Sequence, residues 1–375
     1  MAQSLHLSRE VKVYVEFDSK FWEIPVLGDY SFSQGTNITE VTVAEMADSS
    51  NASRRGRRAF TDSVSPAEFS FSTYARPYVD TTKHHAVEEV LWALFVGAAN
   101  YDAAEASGNI FDDGASTPVT VVNSDTSNLS INFDGSNKLT FGDFNVWYNV
   151  PASSESGTDL WYKVSGAVLS EASLDFDLEG ITTISWSGQG SSLTEENAPT
   201  INDANTESVT DQINSTSNFI RNRLTQLELT PVSDINEQGA YTLVLTGGSI
   251  NISNNPTFVT PESLGIVNKP LGHVMGGRTV SGSFTCYLDN DTDRSADLVY
   301  DLLNATTIVT NQFDMKFKVG GTTASTPRVY FNMANAHLEV PSHNIDDVIS
   351  IECTFHALPS DISDTDELTI DYYGV

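Results

Sequence analysis

Two halves of this chain read as copies of one another, and that duplication constrains its fold more than any single motif. Residues 9–17 (REVKVYVEF) match 221–229 (RNRLTQLEL), each a short basic lead-in followed by an alternating run. Residues 24–34 (IPVLGDYSFSQ) match 243–253 (LVLTGGSINIS), and 71–74 (FSTY) match 284–287 (FTCY). Residues 166–188 align without gaps on 335–357, which sets Leu169 on Leu338 and Trp186 on Phe355. The same elements in the same order predict a tandem repeat of one module. The expected division is a first copy at 1–190, a polar linker or crossing arm at 191–220, a second copy at 221–358 and an acidic tail at 359–375. In that tail, Ile370, Tyr372 and Tyr373 are the residues able to dock.

A chain of 375 residues accommodates two such domains, each with its own core. Most of it alternates with a period of two, as at Val11, Val13, Val15 and Phe17, or at Leu174, Phe176 and Leu178. Gly, Asn, Asp and Ser separate these runs, the pattern of antiparallel sheet. One helical segment interrupts each half. At 83–97, Val87, Val90, Leu91, Leu94 and Phe95 form one helical face with Thr82 as the cap. At 293–304, Leu298, Val299, Leu302 and Leu303 form the stripe, capped by Asp291 or Thr292. The expected class is mainly β (α+β): two tandem β-sandwich or barrel domains, each with one flanking α-helix. An insertion at about 100–140 belongs to the first copy alone.

Fifty acidic residues stand against nineteen basic ones, a formal charge of −31. Such a chain repels nucleic acid, because phosphate binding depends on clustered Lys and Arg. The charge fits an adaptation to salt, a solubility device, or a surface along which DNA passes without sticking. No apolar run reaches the length of a membrane span, and the opening MAQSLHLSREVK lacks a signal-peptide core, so no membrane partner is expected. The two cysteines, Cys286 and Cys353, fall in predicted strands of the second copy. Thr73 and Ile184 hold their places in the first, so buried free thiols are expected rather than a disulfide.

No catalytic constellation emerges, and neither a cofactor nor a metal site is expected. Asp289, Asp291 and Asp293 have the spacing that opens a calcium loop, but Arg294 and Tyr300 stand where that loop needs Gly and Glu. The run reads instead as a turn capping the next helix. His84, His85, Glu88 and Glu89 place His and Glu four apart on one helix, without the HExxH order. They read as a solvated face. The one basic run, RRGRR at 54–58, lies in a hydrophilic stretch at 36–62. It lacks the interleaved aromatics of a nucleic-acid site, so it reads either as an exposed loop with its charges in water or, better, as a docking loop that finds an acidic surface on a neighbouring copy.

The run EIPVLGDYSFSQGTNITEVTV at 23–43, the loop at 44–62 and the strand at 66–76 resemble the opening of a tail tube (major tail) protein of a long-tailed virus. The second copy resembles it through 243–260, a loop at about 254–278 and the strand at 279–288. The resemblance extends over nearly the whole chain. It implies a virion structural protein, not an enzyme, whose self-assembled rings stack into the tail tube that conducts viral DNA during ejection. A duplicated form implies three chains per pseudo-hexameric ring and a non-contractile tail. Further implied partners are the tape measure protein in the lumen, viral DNA in transit, and the tail terminator and tail tip proteins, with assembly in the host cytoplasm. Arg54, Arg55, Arg57 and Arg58 become candidate contacts between rings or subunits. The alternative is a two-domain β-sandwich binding module or adhesin that recognises a receptor or carbohydrate. A β-rich hydrolase using Asp175 or Asp177 with a second acid is a third reading.

Overall fold

The computed structural model describes residues 6–42, 57–102, 109–112, 120–124, 127–133, 144–152, 157–201, 206–207, 210–232, 239–264, 266–304 and 312–375. Strands dominate, as the period-two patterning predicts. One antiparallel sheet, the inner sheet, runs through both halves of the chain. Its order begins Ser31–Thr42, Arg57–Tyr74, Thr183–Gly190 and the second part of Leu160–Asp177. It continues through Leu245–Ser253, Thr279–Tyr287, Ser350–Ala357 and the end of Arg328–Leu338, prolonged by Ser342–Asn344.

Two outer sheets back this one. The first joins Lys20–Ile24, Lys12–Phe17, Phe144–Val150, the first part of Leu160–Asp177 and Ser192–Glu196. The second joins Tyr241–Thr242, Gln226–Pro231, Phe313–Val319, Arg328–Leu338 and Thr369–Tyr373. Leu129–Asn132, Thr120–Ser124, Asn109–Asp112 and Asn100–Tyr101 then extend it. Leu160–Asp177 and Arg328–Leu338 serve both layers by changing partners part-way along, which wraps each outer sheet over the inner one.

Apolar residues alternate into the space between the layers. Val13 and Val15 enter from the outer side, and Phe69, Phe71, Ile184, Trp186, Ile250 and Phe284 from the inner, all buried. The first helix lies in this space. Its expected span of 83–97 is shortened, because Lys83–Ala86 pairs with Pro77–Asp80 as a hairpin and Tyr78 stacks on His85. The helix runs Glu89–Val96 and ends at left-handed Gly97, whose N–H donates to the Ala93 and Leu94 carbonyls. It is buried on every side rather than along one stripe, with Trp92 edge-on to Trp186 at 4.7 Å. Thr82 does not cap it; Glu88 occupies the N-cap position without a side-chain capping bond. The second helix, Ser295–Asn304, buries Leu298, Val299 and Leu302 and leaves Leu303 exposed.

Strand register recurs between the halves. Phe144 faces Ala167 and, past a bulge, Val146 faces Val164; Phe313 faces Ala336 and, past a bulge, Met315 faces Met333. Tyr74 and Phe71 face Thr183 and Trp186, as Tyr287 and Phe284 face Ser350 and Cys353. The gapless alignment of 166–188 on 335–357 slips at one turn. Seven residues separate the paired Asp175 and Thr183, but five separate Asn344 and Ser350. Trp186 therefore corresponds to Cys353, not Phe355. The Thr73 hydroxyl accepts the Trp186 indole N–H at 3.0 Å, and the free, buried Cys286 and Cys353 hold the same two places in the second half. Burial pushes both thiols up to about 12.

The segment read as an acidic tail supplies Thr369–Tyr373, which lies between Arg328–Leu338 and Leu129–Asn132. Ile370 and Tyr372 are fully buried there. Insertion strands near 100–132 thus extend the outer sheet of the other half.

Candidate functional site

Alternation gives the inner sheet two chemically different faces. One is the core face just described. The other faces solvent and is composed of short polar side chains: Ser31 and Ser33; Ser70 and Ser72; Ser185 and Ser187; Ser173; Ser249, Asn251 and Ser253; Ser281, Ser283 and Thr285; Thr354. Glu68, Glu171, Asp175, Asp177 and Glu352 share their register positions, and none of these five is buried. Asp29 accepts from the Ser72 hydroxyl at 2.8 Å, and Glu339 lies 3.0 Å from His356, so both reach the same face. Short of the arm at its first margin, where Arg58 lies opposite Val41, no Lys or Arg occupies a position on it among the described residues.

The basic residues are elsewhere. Lys12, Lys163 and Lys318 sit on the outer sheets in cross-strand pairs with Glu23, Glu16 and Glu228. Arg76 and Arg278 are internal. The Arg76 guanidinium donates to the Ile213 and Ser215 carbonyls at 2.9 and 2.8 Å and lies over the Phe219 ring, which ties the end of the linker to the first half. Arg278 meets Glu367 at 3.4 Å, donates to Asn254 and lies over Phe133. Burial lowers the proton affinity of both arginines, against the pull of Glu88 and Glu367 respectively. Isolated arginines within strand patterns carry no sequence signal for such roles. The segregation of charge between faces likewise emerges only once the strands are placed side by side.

The inner sheet has two margins. At one, Ser31–Thr42 pairs only with Arg57–Tyr74 among the described residues. At the other, Ser342–Asn344 pairs only with Ser350–Ala357 among the described residues. The first margin continues into an arm in which Thr42 faces Arg57, with Ile38 and Phe60 exposed along it. Asn268 of the second half docks on this arm, accepting from the Val64 N–H at 2.8 Å and donating to the Asp62 carbonyl at 3.0 Å. Arg57 and Arg58 are exposed at the arm's far end, and Arg57 meets Glu40 at 3.1 Å. Arg54 and Arg55 lie outside the described residues.

The other candidate groups have local roles. Glu88 and Glu89 are buried, not solvated. Glu88 accepts the Arg76 backbone N–H, and Glu89 accepts the Ala86 N–H and pairs with His85 at 3.2 Å. His84 accepts the Gly374 N–H at 2.9 Å. Asp289 accepts the Asp291 N–H and Asp297 accepts the Asp293 N–H, so this acidic run organises the approach to the second helix. Among the described residues, no three His, Cys, Asp or Glu side chains are grouped to hold a metal ion.

The inner sheet thus presents a polar face between two margins that are unpaired among the described residues. The family model described as phage tail tube protein matches residues 10–357. The chain belongs to that family. Tail tube protein pb6 of Escherichia phage T5 is 28% identical over 377 residues, which cover 97% of this chain and 75% of the relative. As a phage tail tube protein, the chain has a structural role in the virion tail, and its fold is the mainly β class its patterning predicts.

Proposed function

We propose that three copies of this chain close into a pseudo-hexameric ring, that rings stack into a tube, and that viral DNA passes along its lumen during ejection. The observation that carries this reading is the inner sheet. It is continuous across both halves, ends in two margins unpaired among the described residues, and bears seven carboxylates on its solvent face with no Lys or Arg among the described residues short of the arm. Open margins expose unpaired backbone groups, and lateral closure between chains satisfies them. A repeated module supports a six-fold arrangement from three chains, and register recurrence at the Phe144 and Phe313 bulges supports the repeat. Head-to-tail contacts that close by rotation give rings.

A carboxylate-lined lumen repels phosphates and keeps DNA from adhering to the wall. Short Ser, Thr and Asn side chains leave the channel wide and hydrated. The arm carrying Arg57 and Arg58, with Arg54 and Arg55, is the contact to an acidic surface of a neighbouring copy. A tape measure protein fills the lumen before ejection, and terminator and tip proteins close the two ends. Electron microscopy of the purified protein across concentration and salt tests the reading: three-chain rings or hollow tubes are expected, and a monomer that persists at high concentration refutes it.

A further inference from the structure

We infer that the strand pairing joining the two halves of one chain is repeated between chains, with Ser342 of one copy opposite Ser33 of the next. This deepens the ring reading above and rests on it.

The argument starts from the pairing that is present. Leu160–Asp177 meets Leu245–Ser253 with Ser173 opposite Asn251 and Asp175 opposite Ser249. Each partner has a counterpart in the other half, fixed by register. Ser173 faces Ser185 one turn before the end of its hairpin, as Ser342 faces Glu352. Asp175 faces Thr183 at the last paired position, as Asn344 faces Ser350. On the other side, Ser249 faces Ser283, and Ser283 corresponds to Ser70, whose partner is Ser31. Asn251 faces Ser281 in the place where Ser33 faces Glu68. Substituting counterparts places Ser342 against Ser33 and Asn344 against Ser31. All four side chains then fall on the polar face, as Ser173, Asn251, Asp175 and Ser249 do.

Two further observations fit that docking. Phe176 is 4% exposed, lies opposite Gly248 and packs on Phe317 at 5.2 Å across the junction between halves. Its counterpart Ile345 is 79% exposed, the state of a junction residue that lacks its partner. Strand register makes Tyr30 the counterpart of Gly248, one place away from the sequence match of 24–34 to 243–253; it stacks on Tyr148, the counterpart of Phe317, at 6.1 Å and gives Ile345 an aromatic surface on the next copy. Pro341 also stands on the open margin. A ring without an N–H suits an edge strand and blunts indiscriminate pairing there.

The test mixes full-length Ser33→Cys protein with full-length Ser342→Cys protein under assembly conditions and mild oxidation. Cys286 and Cys353 are buried, so they contribute no background. Disulfide-linked dimers are expected from the mixture, and a chain carrying both substitutions should give species up to a closed trimer on non-reducing gels. An Asn37→Cys and Ser342→Cys pair, four residues out of register, should stay unlinked. Rings seen by electron microscopy without the Ser33–Ser342 link, or with the shifted pair linking instead, overturn the register but leave the ring. Absence of rings in the unmodified protein overturns both.

Discussion

Phe69 lies directly across the inner sheet from Gly188, so close that a Cβ on Gly188 would sit 2.2 Å from the ring and 2.5 Å from the Val168 carbonyl oxygen. In the second half the pair is inverted. Gly282 holds the place of Phe69, and Phe355, across from it, holds the place of Gly188. A Cβ on Gly282 would stand 2.0 Å from the Ser249 oxygen and 2.7 Å from the Phe355 ring. One aromatic ring fills the same core site from opposite strands. Gly188→Ala and Gly282→Ala should each destabilise the protein by about 1–3 kcal/mol through overpacking, measured by denaturant unfolding. A neutral result at either position contradicts this packing.

Glu88 is fully buried, and burial raises its carboxyl to about 7 against the partial relief given by Tyr372, the Arg76 N–H and the Arg76 charge. The folded value exceeds the unfolded one, so the folded protein holds this proton more tightly. Its contribution favours folding most below pH 4.5, declines as pH rises from there to about 7, and is constant above. Glu88→Gln should flatten that slope, with the larger gain over the parent at pH 8 than at pH 5, on the order of 1–3 kcal/mol. Urea unfolding of both proteins at the two pH values measures it. Equal slopes in parent and variant would exclude Glu88 as its source.

Tyr372 accepts the Trp92 indole N–H at 2.8 Å and anchors the strand that joins the insertion to the second outer sheet. Tyr372→Ala should cost about 3–5 kcal/mol, the range for deleting a buried aromatic ring. Removal of residues 366–375 should expose the strands at 129–132 and 328–332 to protease while leaving the inner sheet protected in hydrogen exchange. Unchanged proteolysis would contradict a stapling role.

The Arg57–Glu40 pair is exposed, and pairs of this kind contribute about 0–1 kcal/mol. Arg57→Glu with Arg58→Glu should therefore leave the melting temperature of the unassembled chain nearly unchanged. If the arm docks on an acidic neighbour, the same variant should form markedly fewer tubes, and added salt should reduce assembly of the parent. Normal tube yield from the variant would remove these arginines from the interface.

Much of the fold was legible because its signals are local: alternation marked the strands, and the similar runs 71–74 and 284–287 lie in strands that face their partners in the same pattern. The misreadings came from tertiary choices. Phe and Gly exchange strands at the 69–188 site, so no residue-by-residue comparison finds them equivalent. The two-residue difference in turn length moved Trp186 from Cys353 to Phe355 without changing which face either occupies. At 83–86 the chain has helical spacing, but a short hairpin with Pro77–Asp80 takes its backbone bonds. The polar face was invisible for another reason: its carboxylates are scattered from Asp29 to Glu352 and become a surface only when the strands lie side by side.

A cryo-electron microscopy map of assembled tubes tests the central claim most directly. Three chains per ring are expected, with a lumen lined by the Ser173, Asn251 and Ser283 face and with Asp175, Asp177 and Glu352 projecting into it. A lumen lined by the outer-sheet lysines Lys163 and Lys318, or rings in which the Ser31–Thr42 margin remains unpaired, would contradict it.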